Sequence, residues 1–371
     1  MRISLFATLA SLALSHAGCF NGLNDMWCFD VGIHDRANWM STIIDDAPLS
    51  MLSIPGTHDS MTDKLEDSSK QTQNVPLAQQ LTGGVRYIDI TCRYINDDMK
   101  VYKGLTDTGY SLGDLLTTLF SFLNQHPHEA IILRIHKGGM LDDSKTFLKF
   151  MEGYLLPSSA FSDRAAQQIY FTSVGNTTVP TIGEVRGKIL ILQDFKTSPP
   201  GLFGIPWNSH TISSYNQQFS PGSLLLSLKW RGVKSHISRS RSKDYDKLRI
   251  THTTASTGAK PVKVAAKKGL GVGMNRYLGK YLLFGEGNCF GIIVMDFPGY
   301  VLVDEILKLN HLYQVPESSD FPSDRIVPDV IGGFGFEEVS DYDEISDGEG
   351  PPAETSDDEN SNDQDTPAFV G

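Results

Sequence analysis

The feature that most constrains this chain is the recurrence of short apolar runs that stop abruptly on polar side chains able to do chemistry. Residues 85–90 run into Thr91, Cys92 and Arg93, and residues 130–135 end on His136-Lys137-Gly138-Gly139. Residues 188–193 end on Asp194, and residues 290–295 end on Asp296-Phe297-Pro298-Gly299. Runs of this length, rich in Ile, Leu and Val, read as buried strands. Between them lie stretches with helical spacing. Ser111 is placed to cap a helix whose stripe is Leu112, Leu115, Leu116, Leu119, Phe120 and Leu123. Further helices are expected over 76–81, 144–155, 230–237 and 303–309, and short strands over 100–102 and 247–250. Strand–loop–helix units with polar residues at the strand ends imply an α/β fold of the (β/α) barrel type. An open doubly wound sheet is the alternative, and it would advertise a glycine-rich first turn.

The first run, residues 49–54, hands over to Pro55-Gly56-Thr57-His58-Asp59-Ser60. Pro55 and Gly56 set the backbone path, and four polar side chains follow at the carboxyl edge, where parallel α/β folds bind their ligands. A His-Asp pair in a loop most often only satisfies nearby backbone. Its position after a buried strand favours a chemical role.

The formal net charge of −12 is unevenly distributed. Residues 337–365 hold thirteen Asp or Glu and no Lys or Arg, and without them the charge is +1. The body is therefore near neutral, without the clustered Lys and Arg of a nucleic-acid footprint. The last stretch, 321–371, reads as a linker and disordered acidic tail. At the other end, Arg2, an apolar run over 3–14 and Ser15-His16-Ala17 read as a signal peptide over 1–17, so a secreted protein is expected. Residues 18–320 then form the barrel domain, with Trp27, Phe29 and Trp39 covering its bottom or side. Four cysteines permit two disulfides in three pairings, of which Cys19 with Cys28 and Cys92 with Cys289 is the natural one by sequence distance, or buried thiols. Asn176-Thr177-Thr178 is a glycosylation acceptor in form. Residues 196–208, with Leu202, Phe203, Ile205 and Trp207, read as a long surface loop that either touches a membrane or folds back on the body.

Several strand ends together resemble the X domain of phosphatidylinositol-specific phospholipase C, nearer the small bacterial and secreted fungal members than the calcium-dependent signalling enzymes of animals. The stretches that carry the resemblance are Ser53-Ile54-Pro55-Gly56-Thr57-His58-Asp59-Ser60, Gly84-Val85-Arg86-Tyr87-Ile88-Asp89-Ile90 and Val101-Tyr102-Lys103-Gly104. They continue with Phe122-Leu123, Pro127-His128-Glu129-Ala130-Ile131-Ile132-Leu133 and Gly291-Ile292-Ile293-Val294-Met295-Asp296. Residues 45–310 are covered, though 140–285 contribute little.

The resemblance implies a distorted, incomplete barrel and a phosphodiesterase acting on phosphatidylinositol-type lipid or a glycosyl-inositol anchor. It implies His58 as the general base that activates the inositol 2-hydroxyl for attack on phosphorus. It further implies Asp296 as the carboxylate orienting that base, Asp59 as its neighbouring acid and Asp89 as the carboxylate of the second motif. No cofactor or metal is implied, and the partners expected are a phospholipid or inositol-phosphate headgroup and, transiently, a membrane surface.

Two positions depart from the bacterial pattern. Thr91 stands where an arginine contacts phosphate, and Arg93, about 6–7 Å further along the same strand face, is the substitute expected from sequence. Lys103 stands where a second histidine acts as general acid, and an ordinary lysine pKa of about 10.4 suits a proton shuttle poorly near neutrality. His136 and Lys137 are possible stand-ins, Lys137 also resembling a lysine near the inositol site. His252, a lone histidine after a short strand, reads as structural. A catalytically weakened relative that binds a phospholipid headgroup or glycan is the alternative to an active enzyme.

Overall fold

A computed structural model describes residues 27–139, 144–156, 162–171, 173, 177–216, 223–238, 246–254, 260–266, 273–284, 287 and 289–315. Residues 1–17, read as a signal peptide, the acidic stretch 337–365, Cys19, Asn176 and most of the Gly-rich stretch after Lys268 lie outside these residues.

The entry segment places Trp27 and Phe29 in a buried cluster, with Trp39 partly buried against a second. The chain then runs β1 (Ser53–Thr57), α1 (Leu77–Thr82), β2 (Tyr87–Ile95), β3 (Asp98–Lys103) and β4 (Thr106–Ser111). It continues through α2 (Leu112–Gln125), β5 (Ile131–Lys137), α3 (Ser144–Leu155), α4 (Ser162–Gln168), β6 (Ile169–Tyr170), α5 (Ile182–Val185) and β7 (Ile189–Asp194). The remainder is β8 (Ile205–Pro206), β9 (Ile212–Tyr215), α6 (Ser223–Ser238), β10 (Leu248–His252), α7 (Pro261–Ala265), α8 (Met274–Phe284), β11 (Gly291–Met295) and α9 (Tyr300–Lys308).

The strands order as β6-β7-β5-β2-β1-β11-β10-β9, all parallel, with β8 beside β7. No pairing among the described residues joins β9 to the β6/β8 edge, so the sheet curls into an incomplete barrel. The expected barrel class is thus observed in its distorted form.

Period-two alternation divides the core in two. Ile54, Tyr87, Ile132, Leu190, Leu192, Leu248, Ile250, Ile292 and Val294 fill the concave side. Their neighbours Ile88, Ile90, Leu133, Ile135, Ile189 and Ile191 face outward among residues of α1 to α4, and Ile293 and Met295 face residues of α6 to α9. Ser111 caps α2 in a reciprocal box: its Oγ accepts from the Asp114 N–H at 3.1 Å, and Asp114 accepts from the Ser111 N–H at 2.8 Å. At the bottom, Arg86 lies fully buried against Glu129 at 2.7 Å and on the Phe122 ring.

Several local expectations change. Residues 49–51 form a 3-10 turn and β1 begins only at Ser53, because the turn carries Leu49 and Leu52 into the interior before the strand starts. The 100–102 strand is the middle of a longer β3, and β4, too polar to read as buried, pairs with it as an antiparallel appendage to β2. Residues 196–208 are not simply surface: Phe203 and Ile205 are fully buried, and Trp207 reaches the site. Cys92 is a reduced thiol in the core, its pKa pushed up to about 12 by burial, so no bridge joins it to Cys289.

Candidate active site

The concave residues one step beyond the apolar layer are the polar ones. Continuing the inward alternation past Ile54 and Gly56 gives His58, and past Tyr87 gives Asp89. On β5, Arg134 follows Ile132, on β7 Asp194 follows Leu192, on β10 His252 follows Ile250, and on β11 Asp296 follows Val294. One alternation therefore delivers six polar side chains to one level of the barrel mouth.

Local bonds fix the loop that carries His58. Gly56 must be glycine because a Cβ there would lie 2.8 Å from the Tyr87 ring. Asp59 turns the chain with a left-handed φ of 40°. The Ser60 N–H donates to the Asp89 carbonyl at 2.8 Å, and Ser60 Oγ accepts from the Asp89 N–H at 3.0 Å. The buried Gln73 amide donates to both the His58 and Met295 carbonyls at 3.0 Å, stapling the ends of β1 and β11. Asn275 donates to the Asp296 and Phe297 carbonyls at 3.0 and 3.1 Å, holding the other side.

His58 Nδ1 donates to Asp296 Oδ1 at 3.0 Å, and its Nε2 faces Asp59 Oδ2 at 3.1 Å. That same Asp59 oxygen accepts from the Lys103 ammonium. Burial of the imidazole opposes its charge, yet Asp59 and then Asp296 outweigh it, and the pKa of His58 is raised. Burial likewise opposes the charge of Asp59, but His58 and Lys103 hold its pKa low. Lys103 is raised despite burial, mainly by Asp59. His58, Asp59, Asp296 and Lys103 are thus brought together as the sequence implied.

Asp89 joins them through a residue the sequence reading missed. Arg134 donates to Asp89 at 3.0 and 3.3 Å and to Asp194 at 2.6 Å, and its guanidinium lies 4.1 Å from the centre of the Trp207 ring. His136 donates from Nδ1 to the same Asp194 oxygen at 2.9 Å, with its side chain about half exposed. The missed signal was register: Asp89 pairs with Arg134 across β2 and β5, and Arg134 alternates inward with Ile132.

Two expected ligands make other contacts. Arg93 stacks on the Tyr102 ring at 5.0 Å. Lys137 has the outward parity; its ammonium donates to the Gly139 carbonyl at 3.1 Å and lies over Phe147 of α3. His252, read as structural, lies edge-on to His58 with ring centres 5.9 Å apart, fully buried, and both its nitrogens lack a hydrogen-bond partner among the described residues. Burial holds it well below its ordinary pKa, as a neutral imidazole. Lys229 of α6 is buried near Asp296, and desolvation brings its pKa down to about 8.

With this geometry in view, comparison with known proteins is decisive. Residues 46–194 match the family model for phosphatidylinositol-specific phospholipase C, X domain. A 1-phosphatidylinositol phosphodiesterase of Listeria monocytogenes is 30% identical over 295 residues, covering 73% of this chain and 84% of that protein. The chain belongs to the phosphatidylinositol-specific phospholipase C X-domain family. A second family member, the 1-phosphatidylinositol phosphodiesterase of Staphylococcus aureus strain Newman, is 31% identical over 161 residues, 42% of this chain and 49% of that one. The solved phosphatidylinositol-specific phospholipase C of L. monocytogenes superposes with a TM-score of 0.64 at 26% identity, over 74% of this chain and 98% of its own. The X-domain match ends at Asp194, so Asp296 and His252 belong to the half of the phospholipase C barrel beyond it.

Proposed function

We propose that this phospholipase C-like phosphodiesterase cleaves phosphatidylinositol-type lipid, glycosyl-inositol anchors included, with His58 as general base. His58 Nε2 takes the proton of the inositol 2-hydroxyl, and that oxygen attacks phosphorus. The bond to the glycerol oxygen breaks as the cyclic diester forms. Asp296 fixes the Nδ1–H tautomer and stabilises the imidazolium. Lys103 gives its proton to the departing oxygen. Asp59, whose one oxygen faces both nitrogens, lies between base and acid and offers a route for the proton's return. Asp89 acts by holding its neighbours in place.

The observation that carries the reading is the His58 imidazole, bound by Asp296 on one nitrogen and facing the Asp59–Lys103 pair with the other. The export read from residues 1–17 and a transient membrane contact belong to the same proposal. No described helix is long and apolar enough to cross a membrane. The test is release of cyclic inositol phosphate from phosphatidylinositol vesicles by wild type and His58→Ala. Loss of the base is expected to lower turnover by about 10²–10⁴-fold. Headgroup binding with no release by either protein would replace the enzyme reading with the binding one.

A further inference from the structure

The X-domain position that would hold a phosphate-contacting arginine is Thr91, and the cations that sequence offers in its place are committed elsewhere. Arg93 is stacked on Tyr102. Lys137 is turned toward α3, and Lys103, bound to Asp59 within the site, is already assigned to the departing oxygen. A diester that develops charge on its non-bridging oxygens beside His58 still needs a fixed cation.

We propose that Arg134 fills this role: that the phosphate-binding guanidinium has moved from β2 to β5, onto the residue paired with Asp89. The inference rests on the phosphodiesterase reading above. Three features of the geometry carry it. First, Arg134 has the inward parity at the barrel mouth and pairs in register with Asp89, whose N–H and carbonyl are bonded to the loop bearing His58. Second, it is built in: Asp89 and Asp194 grip it from two sides and Trp207 covers one face, while its side chain is only 15% exposed. A guanidinium fixed in this way spends little conformational entropy when it meets a phosphate. Third, it keeps donating capacity. The carboxylates take up at most three of its five N–H donors. Its charge acts on Asp59 and His252, both of which contact His58. Lys229, buried near Asp296, is the rival cation. Its pKa near 8 leaves an amine that is not fully charged above neutrality, whereas a guanidinium always is.

The test compares wild type, Arg134→Met, Arg134→Lys and the double variant Arg134→Met/Thr91→Arg. It uses phosphatidylinositol and its two phosphorothioate isomers, each with sulfur at one non-bridging oxygen. Thermal unfolding of each variant is followed in parallel. Arg134→Met is expected to lower kcat by about 10²–10³-fold and to erase the preference between the two sulfur isomers. Arg134→Lys is expected to keep the fold and still lose that preference, since a point charge replaces the planar fork. Restoring the guanidinium at Thr91 should recover at least tenfold of the loss. Turnover by Arg134→Lys with the wild-type isomer preference intact would overturn the proposal and leave Arg134 a structural ion pair. Titration of all four proteins with myo-inositol 1-phosphate gives a readout independent of turnover. If wild type binds but does not turn over, the enzyme reading fails, and loss of binding in both single variants still supports Arg134. Equal binding by wild type and Arg134→Lys, or no binding by wild type, overturns it.

Discussion

His58 and Asp296 stand 238 residues apart in sequence and 3.0 Å apart in space, on adjacent parallel strands whose ends are stapled by one glutamine amide. Because a carboxylate only accepts, this contact assigns the Nδ1 proton and turns Nε2 toward Asp59.

The pH dependence follows from that pair. The raised pKa of His58 places the acidic limb of kcat/KM above the ordinary histidine value of 6.5, since the base works only when deprotonated. Asp296→Asn removes one of the charges holding the proton, so the limb should move to lower pH while the maximal rate drops. The same raised pKa stabilises the fold at pH below the unfolded value, and that contribution is lost as pH rises through the folded value. Asp296→Asn should therefore reduce the difference in stability between pH 5 and pH 9, read from urea unfolding at both.

Lys103 shapes the product. In the proposed reaction Lys103 donates to the leaving oxygen; once the proton has returned through Asp59, its raised pKa keeps it an ammonium, which is no base for water. Cyclic inositol phosphate should accumulate, and phosphorus NMR of a completed reaction should show little ring opening. Lys103→His should raise hydrolysis of the cyclic product by at least about tenfold, within the usual range for gaining a general base.

Asp59 and Asp89, the carboxylates best placed to take a divalent cation, are held by Lys103 and Arg134. Turnover with and without a calcium chelator should agree within about twofold. A larger loss on chelation would mean that a cation displaces one of these pairs.

At the opposite end of the barrel, Arg86 and Glu129 are both fully buried. Glu129→Ala leaves an uncompensated charge and should cost about 3–5 kcal/mol in chemical denaturation, with the pH profile of the residual folded enzyme unchanged.

Apolar runs and helical spacing made most of the framework legible, because burial on both faces leaves a strong signal in sequence. The motif residues His58, Asp59, Asp89, Lys103 and Asp296 were legible as strand ends. The rest of the site was not, for a geometric reason. Arg134 sits inside a run otherwise read as plain strand, and only its parity and lateral register reveal that it faces inward. Lys137, next to it in a motif-like stretch, has the opposite parity and leaves the site. Trp207 lay in a segment whose Pro and Gly content spoke for exposure, while Phe203 and Ile205 anchor it. His252 looked isolated because its neighbour, His58, is nearly two hundred residues away.

The central place of β1, flanked by β2 on one side and β11 on the other, also sets when the protein can become competent during its making. Strands β1 and β2 leave the ribosome early, yet one flank of β1 stays unpaired until residues 291–295 emerge. A nascent chain that already carries His58, Asp59 and Lys103 therefore still lacks the carboxylate that aims the imidazole. Long-range pairing of this kind is slow to close, and the proposed centre is assembled only when synthesis of the barrel is all but complete.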